Sequence, residues 1–198
     1  SPIKIARGLA IRRVKEWIIA HQEADGSWAG IQPPWVYSLI ALSTLGLKND
    51  HPVMDKGIQG FKDFMVEEDG KLRMQACVSP GWDTCLAMTA LFDSGLQPNH
   101  ESLLRASNWL VQQQIQVPGD WAIKAKGVRP GGWAFEFHNN WYPDIDDVSE
   151  VLMALNRVQS GDQTACALAI RLGVDWLMGM QSQGGGWAAF DKDNTRQA

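Results

Sequence analysis

Three carboxylates fall within four residues at Asp144, Asp146 and Asp147, and Trp133, Phe135, Phe137, Trp141 and Tyr142 crowd the approach to them. Aspartate is rarely buried unless paired, and like charges this close resist ionising together. In an apolar setting one of the three stays protonated near neutral pH. A neutral carboxylic acid in an aromatic-lined pocket is a proton donor. The same residues also read as a helix start. Asp144 would cap it and Asp147 would support the cap three residues later, with Pro143 before and Val148, Val151, Leu152 and Leu155 after. The two readings are compatible, because a cap says where the acids are and not what they do.

The elements that must hold these acids are legible as a repeat. Trp17 is followed by Gln22 and then by Asp25–Gly26–Ser27–Trp28. Trp109 is followed by Gln114 and Pro118–Gly119–Asp120–Trp121, and Trp176 by Gln181 and Gly184–Gly185–Gly186–Trp187. A degraded copy runs through Phe61, Phe64, Asp69 and Gly70. The period of roughly 45 residues is typical of helix-pair repeats. Structural stapling accounts for the pattern: a glutamine satisfies free backbone groups at a helix end and an indole lies over it.

Each unit runs into a second helix, expected over 35–45, 82–92 and 146–158, with Gly46 and Gly95 as C-terminal caps of the first two. These helices are apolar enough to be buried on most sides, whereas 11–20 and 103–113 are amphipathic and form an outer layer. The expected fold is all-α, an α/α barrel of inner and outer helices, with 1–198 a single partial-barrel domain. Aligning Ala41, Ala90 and Ala154 places Pro33–Pro34, Trp82–Asp83 and Ile145–Asp147 at matching helix beginnings around one mouth. The longest insertion, 116–143, leads directly to the acids, and insertions in repeat proteins gather on the functional face.

Composition narrows the function classes. Hydrophobic residues make up 45% of the 198, so a packed core is expected. The net charge of -4, with no basic cluster, excludes a nucleic-acid surface. Three cysteines, Cys77, Cys85 and Cys166, with no C-x-x-C, argue against a disulfide framework or a zinc knuckle and for buried thiols of a reducing compartment. No signal peptide or bilayer-length apolar run is visible. Ser1 and Ala198 read as cut ends of a longer protein.

Several stretches together resemble the squalene–hopene cyclase family of triterpene cyclases. The glutamine–tryptophan repeat, with copies ending at Trp28, Trp121 and Trp187, resembles that family's QW motif. Gly30–Ile31–Gln32–Pro33–Pro34–Trp35, Pro118–Gly119–Asp120–Trp121, Gly131–Gly132–Trp133–Ala134–Phe135 and Tyr142–Pro143–Asp144–Ile145–Asp146–Asp147 follow in the family's order, the last carrying its D-x-D-D. The resemblance covers essentially the whole chain but only the middle of the family's sequence.

It implies an intramolecular cyclase of the isomerase/lyase kind, with no cofactor and no metal. A protonated aspartic acid adds a proton to the terminal alkene of squalene or a related linear polyprene, and a cation cascade closes the rings of a pentacyclic hopanoid. By this resemblance Asp146 is the donor, and Asp144 and Asp147 are ionised neighbours that tune and reprotonate it. Trp82, Phe135 and Phe190 face the growing cation, Ile31, Gln32 and Pro33 form a pocket and water-ordering segment, and Asp83 belongs to the acid's network. The resemblance also implies monotopic association of the full enzyme with the cytoplasmic face of the cell membrane, near Pro2–Leu9, and is compatible with a homodimer. The 198-residue piece is expected to be soluble and inactive on its own. Three positions depart from the family: Val148–Ser149 replace its usual Thr–Ala, and Glu136 stands where glutamine is common. None of His21, His51, His100 and His138 matches the family's histidine partner of the donor, and they read as surface or loop residues.

The residues leave three alternatives. Asp146–Asp147–Val148–Ser149–Glu150 also reads as D-D-x-x-E, a magnesium-binding pattern of class I prenyl-diphosphate enzymes. Tryptophans with paired carboxylates suit a carbohydrate-active α/α barrel. A non-catalytic helical-repeat binding module is the third.

Overall fold

Proline and glycine set the limits of the helices. In a computed structural model, which describes residues 2–159 and 163–194, helix α2 (Gln32–Thr44) has prolines in its first turn, and α3 (Pro52–Asp63) and α4 (Pro80–Asp93) begin on one. The missing proline N–H is one the helix could not have used there. Helices α2 and α4 end in the same way. Gly46 (φ 89°) and Gly95 (φ 93°) adopt the left-handed conformation, and Leu47 N donates to Leu42 O as Leu96 N does to Leu91 O, each at 3.0 Å. These are the Schellman caps expected from the sequence.

The chain divides into two compact units, Ser1–Val78 and Ser79–Ala198. The first holds α1 (Pro2–Ala20), α2, α3 and a hairpin of β1 (Met65–Glu68) and β2 (Lys71–Met74). Its core gathers Ile18, Trp28, Trp35, Leu42, Leu47, Met54 and Phe64. Trp35 is fully buried, donates to Gly57 O at 3.0 Å and meets Phe61 and Phe64 edge-on. The hairpin is where the degraded repeat was expected. Asp69 (φ 51°) and Gly70 (φ 69°) are both left-handed, as a two-residue Asp-Gly hairpin turn requires.

The second unit holds α4, α5 (Glu101–Gln112), a 3-10 turn (Asp120–Ile123), α6 (Ile145–Leu155) and α7 (Gln163–Gly179). Helix α6 packs on α4 and α7, and its Val148, Val151, Ala154 and Leu155 lie in the core with Met88, Leu103, Leu110, Trp133 and Trp176. The fold is mostly helical, as expected of part of an α/α barrel. The inner-type helices are not buried on most sides, however. In α2, Trp35 and Leu42 are buried but Tyr37 and Ile40 are 70% and 54% exposed, and α4 exposes Leu86 and Leu91. Each turns one apolar face into its own unit's core and another to solvent.

The repeat is a three-point staple, and its geometry corrects one of its members. Gln22 Nε2 donates to Gly26 O, Gln114 Nε2 to Gly131 O and Gln181 Nε2 to Gly185 O. Two residues beyond each of those glycines, an indole N–H donates to the carbonyl four residues before the glutamine: Trp28 to Ile18, Trp133 to Leu110, and Trp187 to Leu177. The middle tryptophan of the repeat is therefore Trp133 and not Trp121. Trp121 belongs to the insertion, where it packs edge-on against Trp176 with ring centroids 5.8 Å apart. Gln22 and Gln114 each bond once more, to Val53 O in α3 and Ala169 O in α7, both at 2.8 Å.

Three of the histidines also have structural places. His51 and His100 are the N-caps of α3 and α5, accepting from Val53 N and Ser102 N. His21 is buried and not a surface residue: its ring stacks on Trp17 and its Nδ1 lies 2.8 Å from Trp17 O.

Candidate active site

Helix α6 starts where the acids are. Asp144 is the N-cap in extended conformation, and its Oδ1 accepts from Asp147 N at 2.9 Å. The reciprocal bond of a capping box is not made, because Asp144 N donates to Trp133 O at 3.2 Å. That bond ties the glycine–tryptophan stretch to the acids. On the other side, Ile145 N donates to Ala189 O at 3.0 Å and brings the segment bearing Phe190 to the same helix start.

One turn of helix sends the three carboxylates into different surroundings. Asp144 is 5% exposed and Asp147 2% exposed, while Asp146, at the position between them, is exposed. The helix N-terminus favours ionised acids. At Asp147 burial wins. Loss of hydration, then the hydrogen bond with Asp144, then the charges of Asp144, Asp146 and Glu150 push its carboxyl up to about 8. Burial also raises Asp144, against the hydrogen bonds it accepts from Asp147. Burial thus favours a proton shared across the Asp144–Asp147 hydrogen bond near neutral pH. The sequence anticipated one protonated acid of the three. The resemblance implied that Asp147 would be ionised; its 2% exposure and three acidic neighbours push its carboxyl the other way.

Helix α4 forms the cover over Asp147. An ideal Cβ on Gly81 would lie 3.6 Å from Asp147 Oδ1, an oxygen with no hydrogen-bond partner. One turn on, the fully buried Cys85 thiol is pushed up to about 12 by burial and by the charges of Asp147 and Glu150. Sequence reasoning gave Gly81 no part in the site and read Cys85 only as a buried thiol, which it is. A glycine in the first turn of an otherwise apolar helix was the available signal for Gly81.

The remaining predicted residues fall as follows. Trp82 is half-buried beside Gly81, and the Phe135 carbonyl would lie 3.8 Å from that same Cβ. Phe190 is half-exposed and lines a pocket of about 330 Å³ with Trp121, Trp141 and Tyr142. Asp83 is exposed and accepts from Ser79 Oγ at 3.0 Å. Ile31, Gln32 and Pro33 belong to the first unit. There Ile31 bridges Cys77, and Gln32 donates to Ala76 O from its backbone and to Gln75 O from its side chain. Val148 is fully buried in the core, and Ser149 Oγ donates back to Ile145 O at 2.7 Å. Glu136 is buried and accepts from His138 N. Asp146, Asp147 and Glu150 do not converge, and among the described residues no cluster of three His, Cys, Asp or Glu is placed to hold a metal ion.

Comparison with known proteins agrees with this layout. Residues 1–70 match the family model described as the squalene-hopene cyclase N-terminal domain, and residues 78–198 match the C-terminal domain model. The C-terminal match begins at Val78, next to the division between the two compact units at Val78–Ser79. The chain is 47% identical over 184 residues to a squalene–hopene cyclase of Alicyclobacillus acidocaldarius, covering 92% of this chain and 29% of that protein. It is 42% identical over 184 residues to a dammaradiene synthase of Dryopteris crassirhizoma, covering 93% and 27%. It is 38% identical over 198 residues to a terpene cyclase–glycosyl transferase fusion protein of Humicola fuscoatra, covering 95% and 15%. The chain thus spans less than a third of the length of these relatives. It belongs to the squalene–hopene cyclase family.

Proposed function

We propose that the protein containing this chain is a class II terpene cyclase that protonates the terminal alkene of squalene and closes it to a pentacyclic hopanoid. The observation that carries this reading is the buried Asp144–Asp147 pair, which holds a proton at neutral pH at the head of an apolar helix. Asp146 is assigned as the donor by resemblance to the family. Its position next to the pair supports the assignment: the pair's proton is a reserve one residue away. An exposed acid protonates water before it protonates an alkene, so catalysis requires the face of Asp146 to be covered by further protein or by the substrate. For the same reason the 198-residue chain alone is expected to be inactive.

Cation stabilisation falls to Trp82, Phe135 and Phe190. Aromatic faces contribute about 0.5–2 kcal/mol each without trapping the cation covalently. We assign Ile31, Gln32 and Pro33 to the substrate pocket on the resemblance. No helix among the described residues is long and apolar enough to cross a membrane. A peripheral association is proposed for α1, which exposes Ile3, Ile5, Leu9 and Ile11 beside Lys4, Arg7, Arg12 and Arg13. A squalene substrate would then enter from the lipid.

The test is turnover of squalene by the full-length protein in detergent with excess EDTA, followed by gas chromatography–mass spectrometry. A cyclised triterpene that persists in EDTA and disappears in Asp146→Asn supports the reading. A product lost on metal removal would favour the class I alternative.

A further inference from the structure

Asp193 holds a backbone conformation that favours glycine. Its φ is 53°, in the left-handed region, which aspartate tolerates better than most residues but still at a cost. Such a conformation persists where the surroundings over-determine it. Here two hydrogen bonds do so. The Asp193 carboxylate accepts from Gln183 N at 2.8 Å, and Asp193 N donates to Ser182 Oγ at 3.0 Å. Together they close residues 182–193 into a loop. Glycine would suit the backbone and lose the first bond, whereas aspartate keeps both.

The loop leaves α7 at the third staple and is tied down along its length. Lys192 Nζ donates at 2.9 Å to the carbonyl of Gly179, the last residue of α7. Asp191 pairs with Lys124 of the insertion at 3.2 Å. Ala189 O accepts from the N–H of Ile145, the first residue of α6, at 3.0 Å. A helix cannot satisfy that N–H itself, so α6 is capped twice, by Asp144 and by this loop. Phe190 stands between the bond to α6 and the pair with Lys124. It lines the pocket of about 330 Å³ together with Trp121, Trp141 and Tyr142 of the insertion. The segment that brings Phe190 to this pocket is thus bonded to the helix start that carries the acids. It contains no helix or strand, so its place depends on these ties.

We propose that Asp193 is a positioning residue: the bonds that close the loop hold Phe190 at a fixed place beside the head of α6. The consequence for chemistry rests on the cyclisation reading. An aromatic face acts on a cation only within about 6 Å of its ring centre. A loop free to shift would withdraw Phe190 from the cation it faces. That cation would then lose a proton to give an alkene, or take up water to give an alcohol, before the last ring closes.

Three variants of the full-length protein test this. Asp193→Gly keeps the left-handed conformation and removes the acceptor of Gln183 N. Ser182→Ala removes the other bond without adding a glycine. Asp193→Asn keeps both bonds, because its amide oxygen can accept. Hydrogen-exchange mass spectrometry should show peptides covering 183–191 and Ile145 exchanging about tenfold faster in Asp193→Gly, the factor that one hydrogen bond to a charged group supports. Ser182→Ala should move them the same way, Asp193→Asn should match wild type, and a peptide from α5 should be unchanged in all three. With squalene, Asp193→Gly and Ser182→Ala should raise the ratio of partly to fully cyclised products several-fold, and Asp193→Asn should not. A tie that served stability alone would lower the melting temperature and leave that ratio as in wild type. Unchanged exchange in Asp193→Gly, or faster exchange with the wild-type product ratio, would overturn the proposal. Faster exchange that Ser182→Ala does not share would reflect the flexibility of glycine, and would overturn it too. A wild-type protein that makes no cyclised product would defeat the cyclisation reading by itself, and exchange at Ile145 would still decide whether Asp193 fixes the loop that carries Phe190.

Discussion

Asp147 donates its backbone N–H to Oδ1 of Asp144 at 2.9 Å, and its buried carboxyl is hydrogen-bonded to the same residue. The helix cap and the acid pair are therefore one device. Capping fixes Asp144 at the helix start, and one turn of helix then carries Asp147 beneath α4 and leaves Asp146 outside. Stability, proton affinity and the proposed chemistry are linked through these two residues.

The linkage has a definite sign in pH. Asp147 is raised from an ordinary value near 4 to about 8, so between those limits the folded state holds a proton that the unfolded chain has released. The stability this provides is full below about pH 4 and is lost as pH rises through 8. Urea midpoints are expected to fall from pH 5 to pH 8. Asp147→Asn, which keeps the shape and a donor toward Asp144, should flatten that slope. A mutant with the wild-type slope would show that Asp147 is ionised in the folded state.

Asp146→Asn should separate chemistry from folding. The side chain is exposed, and surface substitutions away from special features usually lie within about 0.5 kcal/mol. Thermal unfolding should be unchanged while squalene turnover is lost. A turnover rate within a few fold of wild type would remove Asp146 from the donor role.

The staple predicts unequal costs for equal substitutions. Gln114→Ala removes two buried hydrogen bonds, to Gly131 O and Ala169 O, and is expected to cost about 2–4 kcal/mol. Gln181→Ala removes the bond to Gly185 O at an exposed site and should cost under about 1 kcal/mol. Glycines follow the same division. A Cβ on Gly131 would overlap the Leu172 carbonyl, whereas one on Gly184 meets nothing within 4 Å. Denaturation of Gly131→Ala and Gly184→Ala, with the first far the weaker, checks this.

Trp133 and Trp121 can be told apart by removing only the indole N–H. Trp133 Nε1 donates to Leu110 O at 2.7 Å, while Trp121 Nε1 is buried without a hydrogen-bond partner. Trp133→Phe is expected to destabilise by about 1–3 kcal/mol more than Trp121→Phe in chemical denaturation. Equal costs would count against the assignment of Trp133 to the repeat.

The parts of this architecture that rest on local chemistry were legible in the sequence. Prolines at the starts of α3 and α4, glycines after α2 and α4, and the Asp144 cap are each specified by one or two residues, and the helices begin and end there. The repeat was visible too, but its middle tryptophan was misread. Thirteen extra residues displace Trp133 from its usual distance to the glutamine, and Trp121 stands at a plausible one. At Asp69–Gly70 the degraded repeat gives way to a hairpin, because both residues take the left-handed conformation of an Asp-Gly turn. Burial of particular carboxyls was the least legible feature. Asp146 and Asp147 are adjacent in sequence, and what separates them is the 100° turn of a helix whose inner side faces Gly81 and Cys85, residues more than sixty positions earlier.

The most direct measurement of the central claim is squalene turnover by the full-length protein in heavy water. Proton-initiated cyclisation takes its first proton from an acid equilibrated with solvent, so each product molecule should carry one carbon-bound deuterium, in the ring that bears the attacked alkene end. A cyclised product with no carbon-bound deuterium would mean that the first cation arises in another way, and would contradict the account.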